Sequence, residues 1–241
     1  MKKLLLIVVA MLVIAAPAYA QASWTDGFDY PDGMLYWSGG GHGIWTAGTQ
    51  TTQINVAGGT VHVTGGADDR YVRGTFATAF TANIIECVAE INRTTPILSG
   101  PDGDWQDGWM FALKYSDSNG KMLAQWRGAS TAVRGAIGTA SSYGFMNVGW
   151  NTLKVKIDLA ANNAEYFMNG VSLGTVASEA GALDNLTSLT IYKGLDARTA
   201  TFNDAIFDNM SVTAVPEPGS ILAMCSGLIG MVGFSARRRR A

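Results

Sequence analysis

Cysteine and histidine are scarce in this sequence, and their scarcity closes several routes. Its 241 residues include 2 Cys and 2 His. Only Cys87 stands in the central part, because Cys225 falls in an apolar run near the C-terminal end. No internal disulfide can therefore brace the central part. Cys87 sits in IIECVAEI, where it shares a strand face with Ile85, Ala89 and Ile91, which predicts a buried small hydrophobe and not a nucleophile. His42 and His62 stand apart, with no zinc-spaced cluster and no nucleophile elbow beside them. A Ser-His-Asp arrangement would have to be assembled from residues distant in the chain, and nothing points to one. Charge is sparse as well, at 15%. Lys2, Lys3 and four C-terminal arginines take six of the 17 basic residues and none of the 19 acidic ones, so the segment between them carries about −8. That sign argues against nucleic acid as a partner and favours divalent cations or neutral sugars. No stretch has convincing helical periodicity, and there is no internal repeat.

What is present is clearest at the two ends. Lys2 and Lys3 precede an apolar run over 4–16, and Ala18-Tyr19-Ala20 forms a small-x-small site before Gln21. This pattern predicts a secretory signal peptide over 1–20, cut between Ala20 and Gln21. At the other end Pro216-Glu217-Pro218 leads into an uncharged apolar run over 220–236, closed by Arg237, Arg238, Arg239 and Arg240. A helix over about 219–236 would span roughly 25 Å, the short end of what crosses a bilayer. The arginine cluster marks its cytoplasmic side. Both charge asymmetries give one topology, with 21–214 on the periplasmic side or beyond. Those 194 residues suffice for one domain with a substantial core.

The three-part tail over 215–241 resembles the PEP-CTERM sorting signal of Gram-negative bacteria, with all three parts in order. The resemblance implies recognition and cleavage near Pro216-Glu217-Pro218 by a membrane transpeptidase, an exosortase. It further implies an inner-membrane-anchored precursor whose mature form is released or attached at the outer surface or extracellular matrix, often with exopolysaccharide. The prolines would hold the cleavage site extended and outside the helix.

Between the ends, short alternating segments dominate. QINVAGGTVHVT over 53–64 predicts a β-hairpin turning at Gly58-Gly59. Extended segments follow over 70–80 and 84–92. A long loop over 92–108 marks function or disorder. Strands over 109–115 and 121–127 flank a turn, and 128–149 reads as irregular. In WNTLKVKIDL, Leu153, Val155, Ile157 and Leu159 alternate with Lys154, Lys156 and Asp158, one face dry and one wet. Turns at Ala161-Asn162-Asn163 and Asn169-Gly170 make a three-stranded meander. Strands over 189–193 and 205–213 complete roughly a dozen. Many short strands with Gly-rich turns argue a β-sandwich. Their order, with Trp150-x-x-Leu153-x-Val155-x-Ile157-Asp158, Phe167-x-Asn169-Gly170 and Phe207-Asp208-Asn209, resembles the concanavalin A-like lectin/glucanase jelly roll, including laminin-G-like modules. That likeness implies an all-β jelly-roll β-sandwich and fixes no chemistry.

Glycosidases of this fold carry Glu-x-Asp-x-x-Glu, which is missing here. Glu86 and Glu90 share a strand face but lie about 13 Å apart by strand rise, beyond the ~5–9.5 Å that glycoside hydrolysis uses. They read as a solvated face. Jelly rolls that bind carbohydrate often hold a structural Ca²⁺ between first and last strands, and the resemblance places Asp29, Asp208 and Asn209 there. A second candidate is Asp102, Asp104 and Asp107 in DGDWQDG, which misses the Asp-x-Asp-x-Asp-Gly register by one residue. A sugar platform needs an exposed ring with polar groups nearby. Trp105 is the first choice, then Trp126 and Trp37, while Trp150 is expected in the core. The functional expectation is an exported, non-enzymatic surface or matrix protein whose partners are the exosortase, the membrane and exopolysaccharide. The alternative is a glycan-acting hydrolase or lyase with a dispersed site.

Overall fold

A computed structural model describes residues 22–37, 40–49, 53–64, 70–93, 111–128, 132–137, 140–182, 185–193 and 205–215. Eighteen strands and no helix occur among them. The first seven are β1 (Ser23–Asp26), β2 (Gly33–Met34), β3 (Tyr36–Trp37), β4 (Gly40–Gly41), β5 (Trp45–Gly48), β6 (Ile54–Ala57) and β7 (Thr60–Val63). Next come β8 (Arg70–Phe80), β9 (Ile84–Arg93), β10 (Phe111–Ser116), β11 (Met122–Gly128), β12 (Ala132–Ile137) and β13 (Ala140–Phe145). The last are β14 (Gly149–Asp158), β15 (Asn163–Met168), β16 (Val171–Ala177), β17 (Leu186–Lys193) and β18 (Ala205–Val215).

The strands form two large antiparallel sheets. One has nine strands in the order β16-β15-β14-β9-β18-β7-β6-β2, with β1 also paired to β18. The other has seven, in the order β13-β12-β11-β10-β17-β8-β5, and β3 with β4 makes a small ribbon. Alternation explains why these segments pair as they do. Asn151, Leu153, Val155 and Ile157 of β14 are buried, and Ile85, Cys87, Ala89 and Ile91 of β9 face the same interior. Tight turns set the register. Gly58 and Gly59 have φ of 58° and 76°, and Asn169 and Gly170 have 50° and 81°. Two successive left-handed residues give the twist that a two-residue hairpin requires.

The core lies between the sheets and is aromatic. Phe111 meets Phe207 edge-on at 4.9 Å, and Trp126 meets Tyr166 edge-on at 5.0 Å. Each pair joins one sheet to the other. Tyr166 does so twice, because its Oη also accepts the backbone N–H of Gln125 at 3.0 Å. Its ring lies against Gly135, where an added Cβ would stand 2.3 Å from ring atoms.

Three expectations need correction. The stretch 128–149 holds the paired strands β12 and β13. Its Gly, Ser and Ala content hides any period, and the exposed edge of β11 supplies the ladder. The strand total exceeds a dozen for the same reason, together with the two-residue pieces near the start. Trp150 is 47% exposed. It has the parity of Lys154 and Lys156, so the period that buries Leu153 turns the indole outward. The proposed helix over 219–236 and the signal peptide over 1–20 lie outside the described residues. Among the described residues no helix is long and apolar enough to cross a membrane.

Candidate functional site

The first and last strands meet, as the ladder from Ser23 opposite Thr213 to Asp26 opposite Met210 shows. On that edge β18 changes neighbour, from β7 at residues 205–207 to β1 at 210–213. At the changeover sits a bulge. Against β9 the register runs from Asp208 opposite Glu90 to Ser211 opposite Val88, one residue too many on β18. Asn209 absorbs the extra residue at φ 46°. Its Nδ2 donates to Glu90 Oε2 at 2.8 Å, and its backbone N–H donates to Asp208 Oδ1 at 2.7 Å.

Asp29 comes close to the same spot. A Cβ added at Gly27 would lie 3.8 Å from both Asn209 Oδ1 and Asp29 Oδ2. The Asp208 carboxyl is pushed up, first by partial burial and then by the charges of Glu90 and Asp29, while the Asn209 N–H pulls it down. Asp29, Asp208 and Asn209 are thus neighbours, with Glu90 as a member that sequence reasoning left on a solvated face. The set is open. Among the described residues no three His, Cys, Asp or Glu side chains are close enough to enclose a metal ion.

The opposite face of the molecule has another character. The seven strands of the smaller sheet contain Arg70, Arg73, Lys114, Arg127, Arg134 and Lys193 and no Asp or Glu. The strands of the larger sheet contain six acidic residues and three basic ones. The ladders bring Arg73, Lys114 and Arg127 to the outer face of the smaller sheet, while Lys193 is buried and Arg70 shares its inward parity. One row runs Gln125, Lys114, Thr190, Arg73, and the next runs Arg127, Ala112, Tyr192, Tyr71. Ala112, Gln125 and Thr190 are buried between partly exposed Arg73, Lys114, Arg127, Tyr71 and Tyr192. Short side chains thus form a floor between taller ones.

Local contacts hold these groups in place. Arg127 Nε donates to Gln125 Oε1 at 2.9 Å, and Lys114 Nζ to the Gly120 carbonyl at 3.0 Å. The Arg73 guanidinium lies 5.9 Å from the Tyr71 ring centre, and Tyr71 lies 5.5 Å from Tyr192. Arg73 Nε is buried with no hydrogen-bond partner. Burial pushes the Lys114 ammonium down; Glu179 and Asp117 oppose this and Arg73 adds to it. A count of charge strand by strand would have found this face, where net charge averaged over the whole domain conceals it.

The aromatic candidates divide. Trp126 is fully buried against Tyr166, so it presents no ring face to a sugar and is corrected from platform to core. Its inward parity on β11, opposite Leu113 of β10, is the reason. Asp102, Asp104, Trp105 and Asp107 lie outside the described residues, as does the side chain of Trp37. So do Ala20, Gln21, Pro216, Glu217, Pro218, Arg237, Arg238, Arg239 and Arg240. Glu86 pairs with Lys154 at 3.3 Å on the outer face of the larger sheet. Cys87 is buried, and burial holds its thiol well up, away from the reactive thiolate. His42 stacks on Tyr30 at 4.6 Å, and His62 Nε2 lies 3.1 Å from Thr60 Oγ1.

A family model described as the PEP-CTERM protein-sorting motif matches residues 214–240. The motif marks an exported, membrane-anchored precursor of the kind that an exosortase processes in Gram-negative bacteria. No curated protein sequence matches the chain. Among solved structures it is similar to the carbohydrate recognition domain of Emp47p, at TM-score 0.55 and 9% identity over 81% of this chain and 97% of that one. It is also similar to a sialidase, at TM-score 0.52 and 9% identity over 80% of this chain. The chain spans 18% of that sialidase, and at such identities both likenesses are of fold alone. The chain therefore carries a PEP-CTERM protein-sorting motif that begins at the end of its last described strand, behind a β-sandwich similar in fold to a carbohydrate recognition domain.

Proposed function

We propose that this protein is an exosortase substrate delivered to the outer surface or extracellular matrix, where its sandwich is a non-catalytic polysaccharide-binding or structural module. The sorting motif at 214–240 carries the reading. Three segments follow from it: a signal peptide over 1–20 cut between Ala20 and Gln21, the sandwich over 21–214, and a sorting and anchor segment over 215–241. Pro216, Glu217 and Pro218 are the recognition and cleavage motif. Arg237, Arg238, Arg239 and Arg240 stop transfer at the cytoplasmic leaflet.

A non-catalytic role is supported by the carboxylates that the structure describes. Glu86 and Glu90 are four residues apart on one strand, each engaged by Lys154 or Asn209. Neither is paired across a hydrolytic distance with the other. A structural Ca²⁺ belongs to the proposal at Asp29, Asp208 and Asn209. Carboxylate and amide oxygens suit that ion, and a cation would relieve the crowding of like charge. With so open a donor set the ion would bind weakly and serve stability.

The test is localisation in cells with and without the exosortase, combined with a glycan array and a reducing-end release assay. Surface location that depends on the exosortase, with binding and no turnover, is the expected result. Turnover would move the protein to the alternative of a glycan-acting hydrolase or lyase. Cytosolic protein with both ends uncut would refute the sorting role.

A further inference from the structure

Given a sandwich that binds polysaccharide, as proposed above, we infer that its ligand face is the outer side of the seven-stranded sheet and that its ligand is an anionic polysaccharide. The net charge of the exported part favours cations or neutral sugars, but net charge averages two unlike faces. All seven strands of one sheet lack a carboxylate, and the partly exposed cations Arg73, Lys114 and Arg127 stand on its outer face. Three ladders bring these cations to one face, an arrangement that suits a negatively charged ligand.

The groups on this face match an acidic sugar chain. Arg73, Lys114 and Arg127 present cationic N–H donors to carboxylate or sulfate oxygens. Arg73 is partly exposed with its guanidinium 5.9 Å from the Tyr71 ring centre, so an anion can approach cation and ring edge together. Tyr71 and Tyr192 form an aromatic pair beside the cations, able to meet the C–H faces of pyranose rings. Two cations in one row, Lys114 and Arg73, stand two strand spacings apart, about 10 Å.

The experiment uses full-length protein in detergent micelles and compares alginate, dextran sulfate, uncharged dextran and double-stranded DNA, by affinity electrophoresis at low and high salt. An acidic glycan should bind at least about tenfold more tightly than dextran, and salt should weaken it. The pair R73Q/K114Q should lose about tenfold or more, while K154Q/K156Q, on the other sheet, should bind as the wild type does. Alginate against dextran sulfate tells whether carboxylate or sulfate is read. Dextran bound as tightly as the acidic glycans overturns the inference and leaves polysaccharide binding standing. So does unchanged binding by R73Q/K114Q with a normal melting curve. DNA bound as tightly as the glycans also overturns it, since the face would then read charge without sugar. No binding to any glycan removes the polysaccharide reading itself, and this inference with it.

Discussion

Trp45 Nε1 donates to Asp26 Oδ2 at 2.9 Å, a bond that ties the first strand of the larger sheet to the edge strand of the smaller one. The same carboxylate accepts Tyr30 Oη–H and the Phe28 N–H, each at 2.8 Å. Asp26 is 7% exposed, so its removal would strand buried donors. Each costs about 1–3 kcal/mol when unsatisfied. Asp26→Ala should therefore lose at least about 3 kcal/mol, and Asp26→Asn, which keeps one acceptor oxygen, should lose less. Urea denaturation checks both, and equal melting of Asp26→Ala and wild type would show that the carboxylate braces nothing.

Tyr166 predicts a second pair of outcomes. Tyr166→Phe keeps the ring on Trp126 and leaves the Gln125 N–H without its acceptor, a loss of about 1–3 kcal/mol. Gly135→Val pushes a side chain into that ring and should cost at least as much, since overpacking costs roughly 1–3 kcal/mol or more. Chemical denaturation of each variant decides. A Gly135→Val protein as stable as wild type would mean the ring is free to move away.

The two tryptophans that sequence reasoning exchanged give a direct contrast. Trp126→Ala should cost about 3–5 kcal/mol, as for a fully buried aromatic. Trp150→Ala, on the outer face, should stay within about 1 kcal/mol of wild type. The measurement is again a denaturation midpoint at constant m-value, and a larger loss at Trp150 than at Trp126 would contradict the fold.

Asp208 makes stability depend on pH in a definite sense. Its carboxyl is raised in the folded state, so the fold favours the protonated form. Its contribution is fully present below the ordinary carboxylate range and is lost as pH rises through the raised value. At neutral pH, Asp208→Asn should therefore raise the melting temperature, and the gain should vanish in acid. Millimolar Ca²⁺ should raise the wild-type melting temperature by more than that of Asp208→Asn. No Ca²⁺ shift in wild type would remove the ion from this cluster.

Much of this architecture was legible because one physical signal, alternation, repeats along the chain. Ile85, Cys87, Ala89 and Ile91 showed their buried face, and Gly58-Gly59 showed its turn. The hairpin of β12 and β13 was not legible, because its small residues carry no period and its pairing comes from β11. Trp150 opens a strand whose alternate residues are buried, and the parity it shares with Lys154 and Lys156 turns it outward. Asp29, Asp208 and Asn209 could be placed together only through resemblance, since nothing local joins residues so far apart. Glu90 was missed there because the bulge at Asn209 that brings it in is a register slip with no sequence mark of its own. The cationic face needed strand membership first. Arg73, Lys114 and Arg127 look scattered until three ladders bring them side by side.

The sorting motif sets the final prediction. If the tail is processed as proposed, cleavage near Pro216-Glu217-Pro218 would remove the apolar run and the arginines, and surface copies should end near Pro218. Intact-mass spectrometry of surface-located protein measures this directly. The described sandwich ends at Val215, so β18 stays whole after such a cut, and its ladder with β9 runs to Val215 opposite Ile84. The processed domain should therefore melt as the precursor's sandwich does. Replacing Pro216 and Pro218 with alanine removes the stiff extended segment and should leave uncut precursor in the inner membrane. Surface copies that still carry Arg237, Arg238, Arg239 and Arg240 would show that the tail acts as an anchor and not as a processed signal.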